Sequence, residues 1–120
     1  PVFLFKVVGT TDAGETLTLY QSVEFTEDYV RENTGSDGYV SLSCQFDKLP
    51  LGEYTASEEQ VARYRLSDIT DIQNGSITKN AAVRFIFDKT HLSGKATYTN
   101  EKYEWGKFSD SSVVVNKITK

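Results

Sequence analysis

Three residues of this chain have side chains that could react with one another: Lys6, Glu58 and Asn100. A neutral lysine amine is a nucleophile, and an asparagine side-chain amide is an acceptor that can lose ammonia to leave an isopeptide bond. The amine has to be neutral, and burial drives it there. Burial also raises a glutamic acid pKa, so an apolar core favours a neutral Lys–Glu pair. A protonated Glu58 would then hydrogen-bond the Asn100 carbonyl, polarise it and shuttle protons. Held on neighbouring strands, the groups would meet at high effective molarity. Each residue also has a plainer reading. Lys6 alone reads as a lysine that snorkels outward or guards a sheet edge.

These residues have to be positioned by strands. Val2 to Val8 reads as a strand apolar on both faces, with Leu4, Lys6 and Val8 on one and Phe3, Phe5 and Val7 on the other. Residues 16–25 and 39–46 alternate, the latter with Val40, Leu42, Cys44 and Phe46 on one face. Lys48 to Gly52 is a turn, because Pro50 fixes φ and removes a donor and Gly52 tolerates positive φ. From Glu53 onward Tyr54, Ala56 and Glu58 share a face, so a buried Tyr54 brings Glu58 toward the core. Residues 81–87 point Val83, Phe85 and Phe87 inward, and residues 96–100 put Ala96, Tyr98 and Asn100 on one side. Residues 27–38 read as polar loop, and 59–74 as a crossing segment that fits neither strand nor helix spacing. Constellation and core together require Lys6, Glu58 and Asn100 all to face inward.

Composition narrows the class. The 120 residues are 38% hydrophobic and 25% charged, enough for one modest core. A net charge of −4 without a basic stripe argues against nucleic acid, and no apolar run has the length of a membrane span. A single cysteine rules out an internal disulfide; the absence of methionine and of a signal or sorting segment suits a mature domain or an excised segment. Abundant Thr, Ser, Val, Tyr and Phe without helical periodicity indicate an all-β sandwich.

Other motifs carry less. Asp88-Lys89-Thr90 has the start of a phosphorylated-aspartate motif, but His91 stands where glycine should follow and the parallel α/β context is missing. Cys44-Gln45 has the residue types of a thioester, on opposite faces of a strand. His91 is the only histidine, and the loop aspartates match no calcium-loop spacing. No cofactor or metal is expected.

The run Phe46-Asp47-Lys48-Leu49-Pro50-Leu51-Gly52-Glu53-Tyr54-Thr55-Ala56-Ser57-Glu58 fits F-x-x-L-P-x-G-x-Y-x-x-x-E, and Ala96-Thr97-Tyr98-Thr99-Asn100 fits A-T-x-T-N. With the lysine-bearing strand Phe3-Leu4-Phe5-Lys6-Val7 they stand in the order found in Cna-B-type domains, which the chain resembles over roughly residues 2–103. The resemblance implies an antiparallel Greek-key, Ig-like or transthyretin-like sandwich over residues 1–104. Residues 105–120 would be an added strand or a lead into a following domain. It implies a structural module of a Gram-positive surface pilin or adhesin, cell-wall associated, with neighbouring pilin or adhesin domains as partners. Lys6 and Asn100 would form the cross-link with Glu58 assisting, a single self-catalysed turnover and not an enzyme activity. A second reading is a binding module whose loops at 24–36 and 59–74 contact host surface or matrix proteins. A third is a carbohydrate-binding or enzymatic sandwich, which would need Trp105 and several tyrosines on one face.

Overall fold

The structure is a computed structural model that describes residues 1–102 and the backbone of 115–119. Nine strands and one short helix are described. They are β1 (Val2–Thr11), β2 (Thr16–Glu24), α1 (Glu27–Asn33), β3 (Tyr39–Ser43), β4 (Gly52–Glu58), β5 (Tyr64–Gln73), β6 (Gly75–Ile77), β7 (Val83–Phe87), β8 (Lys95–Lys102) and β9 (Val115–Thr119). A five-stranded sheet has the order β2-β1-β4-β7-β6, and a four-stranded sheet the order β3-β9-β8-β5. The all-β class follows directly.

The first sheet is antiparallel throughout, and β1 is its organising strand. It pairs with β2 on one side and β4 on the other. Its alternation is strict: Phe3, Phe5 and Val7 are buried, while Val2, Leu4 and Val8 are exposed. Across the interior stand Val40, Ile69, Ala96 and Tyr98 of the second sheet. The Phe5 and Tyr98 rings meet edge-on with centroids 5.3 Å apart, and Phe3 meets Tyr64 at 5.2 Å. Edge-to-face contact of this kind adds to the burial of two large rings. The expected core residues Val40, Tyr54, Val83, Phe85 and Tyr98 are buried. Leu42 and Phe46 are only partly so, because β3 ends at Ser43 and the chain beyond it turns along the surface.

Three features differ from the sequence reading. Residues 27–33 form a helix, started by Thr26, whose Oγ1 accepts the Tyr29 amide at 3.1 Å, with Glu27 and Asp28 in its first turn. Residues 64–73 form a full strand. Register shifts between Leu66 and Asp68 and between Thr70 and Gln73, with Asp71 at φ 52, break the period of two, which is why the spacing looked irregular. The second sheet is not wholly antiparallel, since β9 runs parallel to β3 and antiparallel to β8. β9 comes from residues 105–120, read as an added strand or a lead into a following domain, and lies between two strands of the second sheet; Trp105 is outside the described residues.

The turn before β4 also works differently from expectation. Lys48 takes the left-handed conformation, at φ 57, and Gly52 is the first residue of β4, paired with Thr11 and Phe87. Its requirement is close approach: a Cβ there would be driven into the Thr10 carbonyl oxygen and the Thr11 backbone. Backbone atoms of a paired strand cannot step aside as a side chain can. Gly52→Ala is therefore expected to destabilise the fold by about 1–3 kcal/mol, measured as a lowered denaturant midpoint with unchanged m-value.

Candidate functional site

The two sequence motifs meet across the sandwich. Glu58 ends β4 in the five-stranded sheet, and Asn100 lies near the end of β8 in the four-stranded one. Register decides how Glu58 faces. It stands opposite Phe5, as Ala56 stands opposite Val7, and both β1 partners are buried. Residues directly opposite share a sheet face, so Glu58 points inward. Asn100 shares the inner face of β8 with Tyr98 and is 2% exposed.

Two hydrogen bonds join the sheets here. Asn100 Nδ2 donates to Glu58 Oε2 at 2.8 Å, and the Tyr98 hydroxyl donates to the Ala56 carbonyl at 2.9 Å. Both span 42 residues, since a two-residue step along β8 matches a two-residue step along β4. Tyr54, on the same β4 face, sends its hydroxyl back to the Pro50 carbonyl at 2.6 Å. The P-x-x-x-Y spacing of the motif thus closes the turn, and the Y-x-x-x-E spacing keeps Glu58 on the tyrosine's face. Buried polar groups left unbonded would cost about 1–3 kcal/mol each, so these partners are part of the packing.

The electrostatics follow from this burial. The Tyr98 hydroxyl is held well above its ordinary 10.0, first by burial and second by the nearby Glu58 carboxylate. Tyr54 is raised as well, by burial and then by the charge of Asp12. Both shifts favour the neutral phenol.

Chemically, the pair is an amide and a carboxyl group in contact. The Asn100 Cγ is an electrophile, and its Nδ2, the leaving nitrogen, is the atom bonded to Glu58. A carboxyl group so placed can hand a proton to departing ammonia.

Lys6 is not brought to this pair. It lies on the outer face of β1, between Tyr20 of β2 and Ser57 of β4, with Nζ 6.0 Å from the Tyr20 ring centroid. Tyr20 is itself 53% exposed. The inward placement expected for Lys6 is corrected: the snorkelling reading describes it, with a cation–π contact added. The inner-face position opposite Glu58 belongs to Phe5. A one-residue offset on a strand reverses the face, and Lys6 is one residue from the place an attacking amine would need. Sequence reasoning missed the roles of Phe5 and of Tyr98. The signal was present in the alternation, which grouped Phe5 with Phe3 and Val7, and Tyr98 with Asn100.

The remaining motifs have structural roles. The Asp88 Oδ1 accepts from the Thr90 amide and hydroxyl and from the His91 amide, all at 2.9 Å, and lies 3.0 Å from His91 Nδ1. These bonds close a turn and hold the carboxyl down at about 2. Cys44 lines a cavity of about 570 Å³ with Phe46, Tyr54, Phe85, Phe87 and Leu92. Among the described residues no group of three or more His, Cys, Asp or Glu is arranged to hold a metal. The segments 24–36 and 59–74, expected as binding loops, are largely the helix α1 and the strand β5.

Comparisons with protein-family models, with curated proteins and with solved structures found no match to this chain.

Two outcomes test the site. Peptide mapping of the purified protein is expected to recover Lys6 as an unmodified lysine that reacts with an amine reagent, and Lys6→Gln should change stability by no more than about 0.5 kcal/mol. A mapped Lys6–Asn100 cross-link would contradict this placement. The second outcome is a pH dependence. Folding raises the Tyr98 pKa, so above 10.0 the unfolded chain holds fewer protons than the folded one. This contribution is whole below 10.0 and is lost as the pH rises past it. Unfolding free energies measured from pH 8 to 11 (the range over which an ordinary tyrosine begins to titrate, ~10) should fall at the alkaline end, and less steeply in Tyr98→Phe.

Proposed function

We propose that this chain is a structural module of a Gram-positive surface pilin or adhesin, a Cna-B-type sandwich of Greek-key, Ig-like kind that bears force at the cell wall. The single observation behind this reading is the Asn100–Glu58 hydrogen bond. It joins the two motifs that carry the resemblance, residues 46–58 and 96–100, through a partly buried contact between opposite sheets. A module of this kind works by resisting the separation of its sheets. The rungs Tyr98–Ala56 and Asn100–Glu58 are the polar connections that must break when β8 is pulled from β4.

In this reading Asn100 is the acyl donor and Glu58 the proton-transfer group, while Lys6, on the outer face of β1, has no part in the chemistry. An amine arriving on the inner face beside Phe5 would attack Asn100 Cγ. The Cγ–Nδ2 bond would break, and Nδ2 would leave as ammonia with the proton released by the amine. Without such an amine the same pair serves as a non-covalent clamp. The partners are neighbouring domains of the same kind of surface protein.

Asn100→Ala and Glu58→Ala are each expected to lower both the melting temperature and the force at which the domain opens in single-molecule pulling. Removing Glu58 leaves the buried Asn100 amide without this partner, which corresponds to about 1–3 kcal/mol at most for a partly buried pair. Parental melting temperature and parental force in both variants would remove the reading. An intact mass short by one ammonia in the parent and complete in Asn100→Ala would identify the covalent form.

A further inference from the structure

The two sheets have four edges, β2 and β6 in the first and β3 and β5 in the second. An open edge is a template for another strand, and folded proteins usually blunt it. Three of these four are blunted. β6 has only three residues. β5 has two register shifts and carries Arg65, Asp68 and Asp71. β3 has five residues with α1 packed beside it, and its Ser41 carbonyl already accepts the Tyr29 hydroxyl at 2.9 Å.

β2 has none of these devices. Its nine residues contain no proline or glycine, and their register with β1 is unbroken from Thr16 to Glu24. The one formal charge is Glu24, at the very end. Thr16, Thr18, Tyr20, Gln21, Ser22 and Glu24 are exposed, and Leu17 and Leu19 are only half-buried at the rim of the core. Among the described residues the strand is paired on one side alone, with β1.

We propose that β2 is the docking edge for a second copy of this chain, whose own β2 adds antiparallel to it about a twofold axis. The sequence of the strand selects this occupant. Pairing centred on Tyr20 overlaps all nine residues and is self-complementary. It sets Leu17 against the partner copy's Val23 on the inner side, extending apolar cover over a half-buried leucine. On the outer side it sets Thr18 against Ser22 and Tyr20 against Tyr20, pairs that suit a cross-strand contact. The antiparallel sense also places the two Glu24 carboxylates at opposite ends, where a parallel sense would set them side by side. Two five-stranded sheets become one of ten, with Tyr20 of each copy between its own Lys6 and the partner copy's Tyr20 on the outer face.

The test is sedimentation equilibrium combined with amide hydrogen exchange on the whole chain. The parent should show a concentration-dependent monomer–dimer equilibrium, with the outward amides of β2 protected only in the dimer. Tyr20→Lys and Tyr20→Glu, at an exposed position that should leave the melting curve cooperative, should each weaken dimerisation about tenfold or more by facing like charges. An equimolar mixture of the two variants should dimerise again, because opposite charges then meet. A parent that stays monomeric up to about 1 mM overturns the proposal. So does a dimer whose β2 amides exchange freely, or one that neither substitution weakens.

Discussion

The interior of this sandwich depends on a constraint that apolar packing alone would not impose: two polar side chains on β8 must find partners on β4. Tyr98 and Asn100 are buried, and a buried hydroxyl or amide without a partner costs more than a good hydrogen bond returns. The Ala56 carbonyl and the Glu58 carboxylate satisfy them only at one relative position of the two sheets. Apolar contacts such as Phe5 on Tyr98 tolerate sliding; hydrogen bonds at 2.8 and 2.9 Å do not. The polar rungs therefore set the alignment, and the aromatic core fills the space that alignment leaves.

The same constraint explains why β1 has its composition. A strand between two neighbours, with one face inward, needs apolar residues at alternate positions, and Phe3, Phe5 and Val7 supply them. Phe5 sits where Glu58 and Tyr98 converge, so an aromatic ring caps the polar rungs and lowers the local dielectric. Lys6, one residue along, is directed to the other surface, where its stem lies between Tyr20 and Ser57. The contact of its amine with the exposed Tyr20 ring is of the modest kind.

Irregularities are concentrated away from this centre. The bulges of β5 and the residues with positive φ at Lys48, Arg63, Asp71, Asn74 and Ala81 lie in turns or on an edge strand. β1, β4 and β7 keep the inner alternation that the rungs need, and β8 is buried on both faces from Ala96 to Asn100. An edge strand such as β5 can absorb an extra residue because only one neighbour has to follow it. A bulge in β4 between Ala56 and Glu58 would turn one of the two acceptors away from the interior.

Local chemistry was legible in the residues themselves. Period-two alternation marked β1, β4, β7 and β8 and most of their buried positions, because each strand's faces are set by its own residues. The inward direction of Tyr54, Glu58, Tyr98 and Asn100 was legible for the same reason. Three things were not. β5 was hidden by its register shifts, since a bulge is recognised by what the partner strand does. α1 was hidden because seven mostly polar residues carry no period of their own and are held by Thr26 and by Tyr29 reaching Ser41. The outward placement of Lys6 was decided by tertiary structure. Alternation divides a strand into two faces, but which face turns inward is settled only when another strand or sheet covers it. On β1 that choice fell to the phenylalanines, whose burial is favourable, and left the lysine half-buried on the outer face.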